Sequence, residues 1–363
     1  MGANENILNK AVDGIFLSKE EANDLYLHAG DGELMEAADR IRWKLHPSPE
    51  VTWIIDRNVN ITNVCVSFCK FCNFCRRNDD EDAYVTTLDQ YREKVLHLFS
   101  LGGRQLLLQG GLHPGLGLEF YTHLFRSLKG EFPELRLHAL GPPEIVHLAK
   151  MEKTDYLTVL NELRASGLDS LPGAGAEILS DRVRRIVSKG KCTADEWLEV
   201  MRTAHKIPLP TSATMMFGHA ETLEERVEHI FRIRDLQAEK PRYSQGFLNF
   251  VPWPFQDEGT VLREEMGIRN SADARQYIRL LALSRILLPN IRHIQASWLT
   301  VGRSAGQICL HAGADDFGSV MIEENVVSAA GSRNVMDIGG MEEAIREAGF
   351  IPRLRNQLFE RLD

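Results

Sequence analysis

The sequence has no uninterrupted apolar run near the roughly 18 residues that a membrane-spanning helix requires. It has no excess of positive charge either. Forty-two Lys and Arg stand against 51 Asp and Glu, a formal net charge of −9. That balance gives no footprint for a nucleic-acid backbone or an anionic membrane surface. The first residues, Met1-Gly2-Ala3-Asn4-Glu5-Asn6, lack the basic region and apolar core of an export signal. Gly2 does not make a lipid-attachment site, because position 6 is Asn rather than Ser or Thr. The expectation is a cytoplasmic protein with neither nucleic acid nor membrane as partner. Internal repeats, low-complexity tracts and Pro/Gly/Ser linkers are also missing.

Cysteine is scarce, with six in 363 residues, and four of the six lie between 65 and 75. A secreted disulfide scaffold would carry more of them and spread them. Thiols clustered this closely in a reducing compartment point to metal. Cys192 and Cys309 read as ordinary packed thiols.

What the sequence does have is rhythm. Ser18-Lys19-Glu20-Glu21 is a capping box ahead of an amphipathic run through residues 34–43, so residues 1–48 read as a helical extension. After residue 50, apolar runs at 51–56, 105–109, 135–140, 168–171, 211–217, 246–251 and 291–297 read as strands, with a weaker eighth at 316–320. Helical patterns at 88–100, 120–129, 196–206, 223–238 and 274–288 lie between them, two with capping boxes at Thr193 and Thr222. Such alternation implies an α/β protein with a parallel sheet, open and doubly wound or closed. Polar or Gly-rich segments follow many of the strands, which favours a closed (β/α)8 TIM-type barrel whose loops face one mouth. The expected layout is a barrel over residues 49–335 and a C-terminal helical tail over 336–363 packed on it.

The loop after the first strand reads Asn63-Val64-Cys65-Val66-Ser67-Phe68-Cys69-Lys70-Phe71-Cys72-Asn73-Phe74-Cys75. Three thiolates in C-x3-C-x2-C spacing can hold three irons of a cubane and leave the fourth open to a small molecule. Spacing alone also allows a four-cysteine zinc knot that includes Cys75, or a four-cysteine electron-transfer cluster.

This cysteine pattern on the first loop of an α/β barrel resembles the radical S-adenosylmethionine (SAM) superfamily. Further segments narrow the likeness: Asp56-Arg57-Asn58 ahead of the cysteines, Gln109-Gly110-Gly111-Leu112-His113-Pro114, His138-Ala139-Leu140, Pro142-Pro143-Glu144-Ile145, residues 172–179, Thr214-Met215-Met216-Phe217-Gly218-His219, Phe250-Val251-Pro252-Trp253-Pro254-Phe255-Gln256, Gln295-Ala296-Ser297-Trp298, Asp316-Phe317-Gly318-Ser319 and Met321-Ile322-Glu323-Glu324-Asn325. In this order, over residues 15–335, they resemble the cyclic dehypoxanthine futalosine synthase family. The aminofutalosine synthases and deazaflavin (F0) synthases share part of the pattern. Two departures are Cys75, where that family has an aromatic residue, and Gly141, where it more often has Ser.

The resemblance implies a [4Fe-4S] cluster on Cys65, Cys69 and Cys72, S-adenosyl-L-methionine as co-substrate, and a flavodoxin or ferredoxin type reductant. It implies dehypoxanthine futalosine as the small-molecule substrate, in the futalosine route to menaquinone. A 5′-deoxyadenosyl radical takes the ribose C4′ hydrogen, and the ribosyl radical then closes on the benzoate ring. The ring regains aromaticity by losing one electron and one proton. Expected site roles are Gly110, Gly111 and Glu177 with the cofactor, and His113 and His219 in catalysis. Arg57, Thr214, Gln256, Ser297 and Glu323 are expected to bind substrate, with Trp253 and Phe255 stacking on it. Plainer readings stand beside these: a tight turn for the glycines, a helix-terminus carboxylate for Glu177, and a structural ion pair for Arg57. The alternatives in function are another radical enzyme of the aminofutalosine or F0 synthase group, or a non-catalytic iron–sulfur or zinc protein.

Overall fold

A computed structural model describes residues 3–323 and 325–362, so Glu324 of the Met-Ile-Glu-Glu-Asn segment lies outside the described residues. The first barrel strand runs from 50 to 60 with a break at Ile55, as β1 (Glu50–Ile54) and β2 (Asp56–Asn60). β2 pairs with β3 (Gln105–Gln109), and β3 with β4 (Arg136–Ala139). The fourth strand is reduced to Ser170 and Leu171, which bridge His138 on one side and Thr211 on the other. β5 (Thr211–Phe217) pairs with β6 (Phe247–Pro254), and β6 with β7 (His293–Ile294). Gln295 bridges to β8 (Asp316–Ser319), which pairs back onto β1. Every pairing is parallel, so eight strands close into the (β/α)8 barrel that the alternation implies. β5 is buried along its whole length, as a strand covered on both faces must be.

The helices sit close to where their periodicity puts them: Leu88–Ser100, Leu118–Glu131, Ala194–Lys206, Leu223–Glu239 and Ala274–Leu287. The boxes at Ser18, Thr193 and Thr222 are all formed, with the hydroxyl accepting from the third backbone N–H and a Glu reaching back. Helices Ala3–Val12, Lys19–His28 and Asp31–Leu45 form the N-terminal extension. Arg234 ties it to the barrel by donating to the Leu17 carbonyl at 2.8 Å, and Arg279 by donating to the Ala29 carbonyl at 2.9 Å.

The tail departs from expectation. After helix Ile338–Glu347 it forms β9 (Ile351–Leu354), a strand parallel to β1 with Glu50 opposite Ile351 and Trp53 opposite Leu354. Four residues containing Pro352 give little strand signal, and proline is tolerated only where its missing N–H is not needed. β9 delivers Arg355 into the floor of the barrel. There the guanidinium grips Asp316, Nε to Oδ2 at 2.6 Å and one terminal nitrogen to Oδ1 at 2.9 Å, with both residues buried. Arg355→Met leaves the Asp316 charge without its partner, and is expected to cost about 3–5 kcal/mol. Urea denaturation measures it as a lower midpoint at unchanged slope.

Candidate active site

The loop after β2 carries the four clustered cysteines, and its neighbours fix it closely. The Thr62 hydroxyl donates to the Tyr84 carbonyl at 2.6 Å, and the Asn63 amide donates to the Asp82 carbonyl at 2.8 Å. The Cys65 N–H donates to the Arg76 carbonyl and the Val66 N–H to the Leu112 carbonyl, both at 3.0 Å. The Ser67 hydroxyl lies 3.1 Å from the Cys65 sulfur and 3.2 Å from the Cys69 sulfur. The Leu112 N–H donates to the Cys65 sulfur at 3.2 Å. Cys65, Cys69 and Cys72 then line one cavity of about 140 Å³, with Cys75, Gly110, Gly111, Glu144 and Lys191 in its wall.

The thiols are not equivalent. A hydrogen bond from the Cys75 thiol pulls Cys65 well below the ordinary thiol range, and Cys75 is raised in return. Cys75 also donates to the Cys65 carbonyl at 3.4 Å. Burial pushes Cys69 up to about 11 and raises Cys72. A bound metal must therefore displace protons from buried thiols, which links loading to pH.

The two glycines also line this cavity, and their missing side chains matter to the loop beside them. A Cβ on Gly111 would lie 2.1 Å from the Val64 carbonyl oxygen and 2.8 Å from the Cys65 Cβ. One on Gly110 would lie 3.1 Å from the Thr62 nitrogen. Their missing side chains make room for the cysteine loop, so the close approach is between two stretches of this chain.

A second cavity of about 340 Å³ fills the barrel interior and shares Phe71, Gln109, Ala174, Gly175, Lys191 and Val326 with the first. Trp253, Phe255 and Trp298 supply aromatic wall. Asn58, His138, Ser212, Asn249 and Gln295 supply polar groups deeper in. Lys191 and Glu177 meet where the cavities join, Nζ to Oε1 at 2.7 Å. Burial alone would raise Glu177, but Lys191 and Arg184 offset it and hold the carboxyl below its usual range. Lys191→Met strands that buried carboxylate and is expected to lower stability by about 3 kcal/mol. Pairing it with Glu177→Gln is expected to recover most of the loss, read by thermal unfolding of the single and double variants.

Of the residues singled out from sequence, Thr214, Gln256, Ser297 and Glu177 line the large cavity, as do Trp253 and Phe255. Thr214 donates to the Gly173 carbonyl at 2.5 Å, and Ser297 accepts from the Thr300 hydroxyl at 3.0 Å. Four others are placed elsewhere. Arg57 points outward from β2 and pairs with Glu323, Nε to Oε2 at 2.8 Å, while Lys94 holds the other Glu323 oxygen. Neither Arg57 nor Glu323 lines a described cavity. The His219 side chain is buried; its Nε2 donates to the Met216 carbonyl at 2.9 Å and its Nδ1 accepts from the Ala220 N–H at 2.7 Å. Both ring nitrogens are used, so the ring is a structural brace. The His113 Nδ1 accepts from the Gly115 N–H at 2.9 Å, and His113 lines neither cavity.

Sequence reasoning missed Asn58, His138, Glu144 and Lys191. Asn58 was legible from period-two alternation, since Asp56 and Asn58 face inward while Arg57 faces out. His138 donates to or accepts from the Ser170 hydroxyl at 2.7 Å, and burial pulls its imidazole down to about 3. It is therefore a neutral cavity group. Burial pushes Glu144 up to about 7 beside the cysteines. Lys191 had no motif to mark it.

The donor set fits an iron–sulfur cluster. Three thiols line one cavity, and that cavity opens into a larger one rather than being closed on all sides. Known proteins agree. Residues 59–233 match the Radical SAM superfamily, and residues 244–363 match the CofH/MqnC C-terminal region. The chain is 40% identical over 359 residues to the cyclic dehypoxanthine futalosine synthase of Streptomyces coelicolor, covering 98% of this chain and 88% of that one. It is 37% identical over 365 residues to a 5-amino-6-(D-ribitylamino)uracil–L-tyrosine 4-hydroxyphenyl transferase of Methanosarcina acetivorans, covering 99% and 94%. Its fold is similar to that of methylornithine synthase, with TM-score 0.72 at 18% identity over 95% and 97% of the two chains. The chain belongs to the radical SAM superfamily, within the family that contains the cyclic dehypoxanthine futalosine synthases and the 4-hydroxyphenyl transferases.

Proposed function

We propose that this protein is a radical SAM cyclase that converts dehypoxanthine futalosine to cyclic dehypoxanthine futalosine, a step of menaquinone biosynthesis by the futalosine pathway. The observation that carries the radical reading is the junction of the cavities, where a three-thiol pocket opens onto a closed barrel interior at Lys191 and Gly175. The 40% identity over nearly the whole chain supports the choice of substrate.

Members of the superfamily use a [4Fe-4S] cluster and S-adenosyl-L-methionine, which together supply hydrogen-atom abstraction from an unactivated C–H bond. Cys65, Cys69 and Cys72 would hold the cluster. Cys75 would support Cys65 by hydrogen bonding instead of ligating iron. Glu177, Lys191 and the backbone at Gly110 and Gly111 would bind the polar parts of S-adenosylmethionine at the junction. Thr214, Gln256 and Ser297 would contact the substrate, with Asn58 and His138 as further polar partners. Trp253 and Phe255 offer apolar faces to a benzoate ring and help exclude water from the reacting atoms. The reductant would be a flavodoxin or ferredoxin type carrier, and the setting the cytoplasm. No helix among the described residues is long and apolar enough to cross a membrane.

The test is anaerobic reconstitution followed by incubation with S-adenosylmethionine and dehypoxanthine futalosine. Formation of 5′-deoxyadenosine with a product lighter by two hydrogens is expected. Turnover of tyrosine with 5-amino-6-(D-ribitylamino)uracil instead would assign the transferase activity of the Methanosarcina relative.

A further inference from the structure

Cyclisation leaves a ring carbon that holds both the new C–C bond and its hydrogen. Aromaticity returns only when that hydrogen leaves as a proton. A group that takes it must line the large cavity and carry a free lone pair. Among the described residues, the titratable side chains lining that cavity are Asp56, His138, Glu177, Lys191 and Arg355. All but one are committed. Glu177 and Lys191 pair at 2.7 Å where the two cavities join. Arg355 grips Asp316 with two nitrogens, at 2.6 and 2.9 Å. Asp56 accepts from the Ser319 hydroxyl at one oxygen and from the Gln105 amide at the other, the latter at 3.3 Å.

His138 differs. Its Nδ1 lies 2.7 Å from the Ser170 hydroxyl, and its Nε2 has no hydrogen bond among the described residues. With the proton on Nδ1 and donated to Ser170, the ring keeps a lone pair on Nε2. Burial and the Arg355 charge disfavour the imidazolium, so the ring is neutral and ready to accept. A ligand also reaches this level of the barrel. Asn58 and His138 stand in register on either side of Leu107 of β3. The Asn58 Oδ1 is buried and unpartnered, as is the Asn249 Oδ1, and both side chains line the cavity. Buried acceptors are seldom left empty, so these two mark where the hydroxyl donors of a ribose-type ligand arrive.

We propose that the His138 imidazole is the catalytic base that takes the ring proton on Nε2, with Ser170 as the positioning residue that holds the required tautomer. The proposal rests on the cyclase reading. The ring C–H bond breaks and its electron pair stays in the ring. The proton goes to Nε2, and the odd electron goes to a one-electron acceptor of the iron–sulfur type. A weak base suffices, because loss of the electron makes that C–H strongly acidic. Burial then makes the imidazolium short-lived and returns the site to its starting form.

The test uses the cluster-loaded protein and dehypoxanthine futalosine carrying deuterium at the ribose C4′ or on the benzoate ring, with calorimetry of substrate binding in the absence of reductant. His138→Gln is expected to keep deuterium transfer from C4′ into deoxyadenosine. It is expected to bind substrate no more than about tenfold more weakly, the worth of one hydrogen bond. Cyclised product per deoxyadenosine is expected to fall about a hundredfold, and the isotope effect from ring deuterium to grow beyond that of the wild type. Ser170→Ala, which keeps the imidazole, is expected to show the same pattern with a smaller loss. An unchanged yield of product per deoxyadenosine in His138→Gln overturns the proposal. So does a parallel loss of affinity, deuterium transfer and product, which makes His138 a binding or packing residue. If His138→Gln does not fold by circular dichroism, Ser170→Ala decides, and an unchanged yield there overturns the proposal. A wild-type protein that transfers no C4′ deuterium refutes the cyclase reading itself, and that is seen before any variant is compared.

Discussion

Replacing Cys69 with Ser is expected to abolish both the iron–sulfur absorbance and deoxyadenosine formation, down to the level of a protein-free control. The same holds for Cys65 and Cys72, because each thiolate is one of three protein ligands and no spare donor of equal softness lies in the cavity wall except Cys75. Cys75→Ser separates the readings. If Cys75 only donates a hydrogen bond to Cys65, a serine hydroxyl replaces that donor, and the variant keeps its iron, its sulfide and its activity. If Cys75 were a fourth ligand, the cluster would be closed to S-adenosylmethionine in the wild type, and the serine variant would bind it better. Iron and sulfide analysis of the four variants, alongside deoxyadenosine yield, reads the difference.

Gly111→Ala is expected to lower iron content as severely as loss of a ligand, although position 111 contributes no donor side chain. The added methyl would lie 2.1 Å from the Val64 carbonyl oxygen, and that neighbour is backbone rather than a flexible tip. Either the cysteine loop or the strand end after β3 must move, at a cost of about 1–3 kcal/mol or more. The loop is also where the Leu112 N–H meets the Cys65 sulfur, so the displacement reaches the thiol directly. Gly115→Ala is the control, since its Cβ would meet only the His113 ring at 3.5 Å. Iron per protein after reconstitution, with circular dichroism to confirm folding, checks both.

Much of this site could be read from residue order, and the rest could not, for identifiable reasons. The spacing of Cys65, Cys69 and Cys72 places three thiols on one loop, and the strand–helix rhythm places that loop at a barrel mouth. Both are local signals. Arg57 carried two readings, a substrate-carboxylate contact or a structural ion pair, and residue order alone does not choose between them. The alternation of β2 turns it outward to Glu323 and turns Asn58 inward. His219 carries a suitable side chain at a strand end, yet its two nitrogens are consumed by the Met216 carbonyl and the Ala220 N–H, pairings set by the turn geometry rather than by residue type. β9 and Arg355 were unreadable because their partner, Asp316, lies 39 residues away and the strand has only four residues. Lys191 is a lone lysine in sequence; it becomes part of the site only when helix Asp181–Val187 and the following turn bring it to Glu177.

The most direct test of the account is incubation with dehypoxanthine futalosine carrying deuterium at C4′ of the ribose. The account predicts deuterium in the 5′-deoxyadenosine and a cyclised product that has lost the C4′ deuterium and one ring hydrogen. Deoxyadenosine free of deuterium, with the labelled compound recovered unchanged, would contradict it.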